Sequence, residues 1–159
     1  MDDIGYRAAT VQDWPAIATH FYQLWLDNGL KPNDIRPDWQ AHTLAFIQTA
    51  AEQLDYAAFI AETSDGTLIG SVGCQRFEGL YPIIFMPHYR RDGYIWNVYV
   101  EAAYRRRGVG QQLTQLAIDH LATLGCTRVV LHASPFGRPV YTRLGFESST
   151  EMRRSLPSP

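Results

Sequence analysis

The stretch Asn97-Val98-Tyr99-Val100-Glu101-Ala102-Ala103-Tyr104-Arg105-Arg106-Arg107-Gly108-Val109-Gly110-Gln111-Gln112-Leu113 decides the fold. It reads as the end of a strand, a basic turn with two glycines, and the start of a helix. A helix opens with four unpaired N–H groups and the positive end of its dipole, so a turn of this kind makes an anion site. Gly108 and Gly110 carry no Cβ, so an anion can approach the main chain closely. Arg105, Arg106 and Arg107 add positive charge beside it. A solvated basic turn whose glycines serve geometry alone is the other reading that spacing permits. Two phosphate loops are excluded. A nucleotide-hydrolysing loop needs Lys and a hydroxyl residue where Gln111 and Gln112 stand, and a dinucleotide fingerprint needs a third glycine. The turn suits a pyrophosphate that anchors a ligand and is not itself cleaved.

Working outward, a strand from Tyr94 to Val100 precedes the turn, rich in aromatic and β-branched residues. After it, Val109, Leu113, Leu116, Ala117, Leu121 and Leu124 mark one face of a helix that Gly125 terminates. Arg128 to His132 is the next strand, and a strand–helix–strand unit of this length predicts a parallel pair. Pro139, Val140, Tyr141 and Leu144 form a short helix ended by Gly145, and Phe146 to about Leu156 reads as a last antiparallel strand. Towards the N-terminus, Ile4 to Ala9 is a strand, and Thr10 with Asp13 opens a helix over about 11–26. A linker with two prolines, Lys31 to Pro37, leads to a second helix from Asp38 to about Leu54. Two strands follow, Tyr56 to Glu62 and Thr67 to Phe77, joined by the hairpin turn Ser64-Asp65-Gly66. Glu78 to Gly93 reads as a variable loop with room for a strand at Tyr81–Phe85. The order β-α-α-β-β-β-α-β-α-β predicts an α/β chain of the α+β type: a mixed, mostly antiparallel sheet flanked by helices, unlike a doubly wound nucleotide fold. One domain over 1–156 is expected, with 157–159 as a frayed end.

Composition narrows the class. The 159 residues carry a net charge of −2, which gives no reason to expect nucleic-acid or membrane binding. Thirteen of the fourteen basic residues are arginine, and the single lysine, Lys31, is far from the glycine turn. No apolar run approaches the ~18 residues of a membrane span. Met1-Asp2-Asp3 is acidic where a secretory leader would be basic, so the expected compartment is the cytoplasm. Cys74 and Cys126 lack metal or redox spacing and read as reduced core residues, and no metal is expected.

Two segments together carry a family resemblance. Arg105-x-x-Gly108-x-Gly110 resembles the (Q/R)-x-x-G-x-(G/A) motif of the GCN5-related N-acetyltransferase family. Ser134-Pro135-Phe136-Gly137-Arg138-Pro139-Val140-Tyr141-Thr142-Arg143-Leu144-Gly145-Phe146 resembles the family's N-x-x-A-x-x-L-Y-x-x-x-G-F segment. The motifs cover about 94–152; residues 1–93 fit by element order. The resemblance implies a V-shaped splay between the fourth and fifth strands at a bulge, with acetyl-CoA in the gap. By position, the backbone of Val98, Tyr99 and Val100 would pair with the pantetheine arm. The N–H groups of Arg106, Arg107, Gly108, Val109, Gly110 and Gln111 would hold the pyrophosphate, and the Arg105 charge would help. It further implies direct attack of an amine on the thioester, with Tyr141 as the general acid for the leaving thiolate. Ser134 and Gly137 stand where the family has Asn and Ala, and by position Ser134 would contact the pantetheine arm through its shorter hydroxyl.

The base and the acceptor are less legible. Glu101 is the carboxylate nearest in sequence to the expected thioester, and it is also an ordinary loop-opening residue. His88, Asp92, Glu78 or a water chain are alternatives, and Asn97 could orient the acceptor or a water. His120 and His132 read as structural. Trp25, Trp39, Tyr81, Phe85, Tyr89 and Tyr94, with Asp27, Asp34, Asp38, Glu78 and Asp92, suit a cationic amine acceptor or merely close the core. A small-molecule amine, a peptide N-terminus or a lysine would all serve, and the apolar run Tyr81–Met86 leaves a homodimer open. A non-catalytic coenzyme A sensor on the same fold is the rival reading.

Overall fold

The computed structural model describes residues 3–78 and 84–157. Strand β1 (Ile4–Ala8) leads through a short 3₁₀ turn into helix α1 (Trp14–Asp27). The predicted start at Thr10 is built by charge: the Asp13 carboxylate accepts the Thr10 N–H at 2.7 Å and two hydrogen bonds from Arg7 of β1. Those bonds from Arg7 pull the Asp13 carboxyl down to about 2. Helix α2 (Trp39–Gln53), then β2 (Ala57–Thr63) and β3 (Leu68–Arg76), follow as the residue pattern predicts. After the 79–83 stretch, which lies outside the described residues and takes most of the tentative Tyr81–Phe85 strand with it, come β4 (Asp92–Val100), α3 (Val109–Thr123), β5 (Arg128–Val130) and α4 (Arg138–Arg143).

The sheet order is β1-β2-β3-β4-β5, antiparallel except for the parallel pair β4–β5. Strand alternation sends β2 side chains to opposite faces. Ala58 and Ile60 join Ile17 of α1, Ile47 of α2 and Trp96 on one face, whereas Ala61 joins Leu113, Ala117 and Leu121 of α3 on the other. The sheet is therefore covered on both sides. The expected last strand is absent. Residues 147–157 are exposed and polar, and their two large apolar side chains, Met152 and Leu156, face solvent. With no alternating apolar face to bury, the segment gains nothing from joining the sheet. The expected frayed end falls partly on 158–159, outside the described residues.

Two features of β4 position the site. First, its register with β3 shifts: Ser71 faces Tyr99 and Gly73 faces Trp96, so Val72 stands opposite both Asn97 and Val98. That is a β-bulge, and Asn97 takes the left-handed conformation (φ 55°) that asparagine tolerates better than most residues. Its amide donates to the Ile17 carbonyl of α1 at 3.2 Å and to Ser71 Oγ at 3.3 Å. Second, β4 pairs with β5 only from Asp92 to Tyr94, opposite Arg128 to Val130. The first of these pairs is pinned by Arg128, which donates to both carboxylate oxygens of the buried Asp92 at 3.1 and 2.8 Å. Beyond Tyr94, β4 runs to Val100 with no registered partner on that side.

The bulge predicts an ordering of variants. Asn97→Gly and Asn97→Ala lose the same two hydrogen bonds, but only alanine pays the ~1–2 kcal/mol of a left-handed L-residue. Urea unfolding should therefore find Asn97→Ala the less stable by about 1 kcal/mol; equal stabilities would mean that the left-handed backbone at 97 is not kept.

Candidate active site

The predicted residues fall into three groups. The glycine turn is formed as expected: Gly108 (φ 80°) stands at the N-terminus of α3, and Arg106 (φ 60°) also lies in the left-handed region. Around Gly108 the space is open, with no atom within 4 Å of where a Cβ would sit. Val109 is buried and anchors the turn to the α3 core, and Gly110 lies against Val98 and Val100. Gln111 is exposed. The arginines divide their work. Arg107 stacks over the Tyr104 ring, with its guanidinium carbon 5.2 Å from the centroid. Arg105 turns away from the glycines: it donates to the Val100 carbonyl at 2.8 Å and to the Asp27 carboxylate.

The second group lines a cleft of about 240 Å³ between α1 and the end of β4, formed by Thr19, His20, Gln23, Asp27, Tyr99, Glu101, Ala102 and Arg105. Of the residues singled out in the sequence, Asp27 from the acceptor set, Glu101 as the candidate base, and Tyr99 and Arg105 from the cofactor set meet here; His20 was not among them. A buried chain of polar groups backs the cleft. Asn97 donates to Ser71 Oγ, whose hydroxyl is then free to donate to His20 Nδ1 at 2.8 Å. That assigns the His20 proton to Nε2, which faces Glu101 Oε1 at 3.9 Å. The Tyr99 hydroxyl donates to the other Glu101 oxygen at 3.3 Å, and the His20 and Tyr99 rings lie 4.8 Å apart. Burial lowers the His20 pKa, against the pull of Glu101. Burial first, then the Glu101 charge, push the Tyr99 phenol to about 12. Asn97 Oδ1 is buried without a partner among the described residues.

The third group sits past the end of β5. Tyr141 of α4 lies over Gly137, where an alanine Cβ would fall 2.8 Å from its Cε2 atom, and its ring meets Phe146 edge-on. The glycine that departs from the family's alanine thus leaves room for the tyrosine ring. Ser134 Oγ accepts the Gly137 N–H at 3.1 Å, which ties its hydroxyl to the α4 entry. Burial pushes the Tyr141 phenol to about 12. His132, expected on a buried strand, is exposed because β5 stops at Val130; it accepts or donates at 3.0 Å to the Tyr94 hydroxyl and lies 3.5 Å from Glu151.

Most of the aromatics and acids read as an acceptor pocket have other partners. Trp39 stacks on Tyr22, Asp38 binds Arg36 and His42, Glu78 binds Arg76, and Asp92 is held by Arg128 and Arg90. Tyr81 lies outside the described residues. Among the described residues no group of His, Cys, Asp and Glu is arranged to hold a metal ion, and no helix is long and apolar enough to cross a membrane. Cys74 and Cys126 are free thiols, and burial pushes Cys74 up to about 12.

Comparison with known proteins gives four findings. The profile of the acetyltransferase (GNAT) family matches residues 14–146. Glucosamine 6-phosphate N-acetyltransferase 1 of Oryza sativa subsp. japonica is 27% identical over 130 residues, 81% of this chain and 76% of that protein. A GCN5-related N-acetyltransferase from Ralstonia eutropha JMP134 superposes with a TM-score of 0.83 at 25% identity, covering 97% of this chain and 99% of that one. A Clostridium acetobutylicum acetyltransferase solved with acetyl-CoA gives 0.81 at 23%, covering 97% and 96%.

The buried His20 makes stability depend on pH. Its folded pKa lies below the ordinary ~6.5, so the unfolded chain takes the proton first and stability falls as pH drops below that value. Urea midpoints between pH 7.5 and 5 should decline for the wild type and decline less for His20→Asn; parallel curves would contradict a neutral buried imidazole.

Proposed function

The chain belongs to the acetyltransferase (GNAT) family, and from that premise we propose that it acetylates a small-molecule primary amine by direct attack on the thioester of acetyl-CoA. It is an N-acetyltransferase, and acetyl-CoA is its acyl donor. The observation that carries the proposal is the free edge of β4. The strand leaves β5 after Tyr94 and ends, six residues on, at Val100 beside the glycine turn. The pyrophosphate of the donor would rest on the N–H groups of Arg106 to Gln111, in the open space at Gly108. The pantetheine arm would then run back along the backbone of Val100, Tyr99 and Val98 as an added strand, on a free edge that extends about 20 Å from Val100 to Tyr94. This direction puts the thioester towards the fork between β4 and β5.

The neutral amine attacks the carbonyl carbon, forming the C–N bond as the C=O pair moves onto oxygen. The intermediate collapses, the C–S bond breaks, and the coenzyme A thiolate takes a proton from Tyr141. The second amine proton, shed as the amide forms, restores the phenol through solvent. A phenol held near 12 is fully protonated at neutral pH and so is ready to donate.

Support for a small amine comes from the curated relatives, three of which bear the name glucosamine 6-phosphate N-acetyltransferase, two from Oryza sativa and one from Trypanosoma brucei brucei. A peptide terminus or lysine is the other acceptor class. Glu101 can serve as the base only for an amine that reaches the α1-side cleft, since it stands seven residues along the chain from the fork.

Acetyl-CoA turnover against a panel of amino sugars, amino-sugar phosphates, amino acids and peptides tests the proposal. Tyr141→Phe should lower kcat about 10²-fold or more with unchanged acetyl-CoA affinity by calorimetry; an equal kcat removes Tyr141 from the chemistry. Saturable coenzyme A binding with no product across the panel would favour a sensor instead.

A further inference from the structure

At the fork itself stand three groups that the mechanism so far leaves unused. Tyr94 is the last β4 residue paired with β5, and its partner is Val130. Its hydroxyl reaches over to His132, two residues past the end of β5, and meets Nδ1 at 3.0 Å, with the two rings edge-on at 5.8 Å. The far nitrogen of His132, Nε2, lies 3.5 Å from Glu151 Oε2. Glu151 comes from the exposed C-terminal segment and its other oxygen accepts from Arg153 at 2.7 Å. A carboxylate beside Nε2 fixes the imidazole proton there, so Nδ1 carries the lone pair and Tyr94 donates to it.

We propose that Tyr94, His132 and Glu151 form the proton relay that deprotonates the acceptor's ammonium group at the fork. The inference rests on the proposed path of acetyl-CoA along β4, which brings the thioester to this point. The ammonium N–H bond breaks as its proton passes to the Tyr94 oxygen; the Tyr94 O–H proton moves to His132 Nδ1. The amine is left neutral with its lone pair free to attack, and the charge becomes an imidazolium facing Glu151. Half-exposed, His132 then returns the proton to solvent. Tyr94 touches the acceptor; His132 holds the proton; Glu151 is a positioning residue that sets the tautomer and steadies the imidazolium.

The placement also explains two otherwise idle features. Tyr94 is kept neutral, its phenol raised by burial first and then by the Glu151 charge, so it passes a proton without ionising. The C-terminal segment, which joins no strand, still contributes Glu151 to the fork. The charged and titratable groups facing His132 are Tyr94 from β4 and Glu151 from the C-terminal segment, with Arg153 behind Glu151.

The test is the pH profile of kcat/KM for the full chain with its best amine from the panel. In His132→Gln and in Tyr94→Phe, kcat/KM at pH 7 should fall about 10²-fold. Both should recover towards wild type only as pH approaches the acceptor amine's own pKa, where the amine deprotonates unaided. Glu151→Gln should lower kcat/KM at pH 7 by a smaller factor than either, because the imidazolium loses the carboxylate that faces it. Calorimetric acetyl-CoA affinity should stay unchanged in all three. Recovery absent at high pH, or an acid limb removed by Glu101→Gln and not by the Tyr94 and His132 variants, overturns the relay. Loss of acetyl-CoA binding by the Tyr94 and His132 variants also overturns it, by showing a structural role. Failure of the wild type to bind acetyl-CoA strikes instead at the path along β4.

Discussion

Everything distinctive about this molecule depends on one strand being unable to stay paired. Strand β4 is pinned to β5 at its start, where Arg128 grips the buried Asp92 carboxylate, and it is bent in its middle, where Asn97 turns left-handed opposite Val72. A bulge increases local twist and carries the strand away from its neighbour. The bend is held from two sides, because the Asn97 amide ties it to the Ile17 carbonyl of α1 above the sheet and to Ser71 of the neighbouring strand β3. The result is a short parallel contact, then a free strand edge that ends at the α3 N-terminus. A ligand with an anion at one end and an amide-bearing arm behind it has both of its needs met along one line.

The two faces of β4 do different work. Towards α3, Ile95, Val98 and Val100 pack with Val109 and Leu113, so the glycine turn is fixed by apolar burial and its N–H groups are free to face a ligand. Towards α1, Asn97 and Tyr99 meet His20 and Ser71, a run of buried polar groups that is tolerable because nearly every atom has a partner, and it opens at the half-exposed Glu101. The exception is Asn97 Oδ1, at the bulge itself. Along the strand, two chemically competent spots result: the carboxylate cleft at the Glu101 end and the Tyr94–His132 contact at the fork. The direction of the donor along β4 chooses between them.

Much of this was legible from residues. The helix faces, the β2–β3 hairpin, the parallel β4–β5 pair and the turn at Gly108 follow from periodicity and glycine placement, because each is decided locally. The C-terminal segment differs: Phe146 to about Leu156 reads as a last antiparallel strand, but the nine residues between those two hold one large apolar side chain, Met152, and no face to bury. Arg105 was read with its neighbours as a phosphate residue, whereas its guanidinium bonds Asp27, 78 residues away. His20, His132 and Glu151 carried no local signal at all. Each gains its chemistry from a partner distant in the chain, Ser71 for the first and the Tyr94 hydroxyl for the second, and no spacing rule reports such meetings.

The central claim is that the free edge of β4 receives acetyl-CoA, with the pyrophosphate at the glycine turn and the thioester at the fork. A crystal structure of the chain with coenzyme A tests it most directly. The account predicts the pyrophosphate on the N–H groups of residues 106–111, pantetheine amides paired with the backbone of residues 98–100, and the sulfur beside Tyr141 and the Tyr94–His132 contact. A coenzyme A whose arm leaves β4 unpaired, or whose sulfur lies in the Glu101 cleft away from Tyr94, would contradict it.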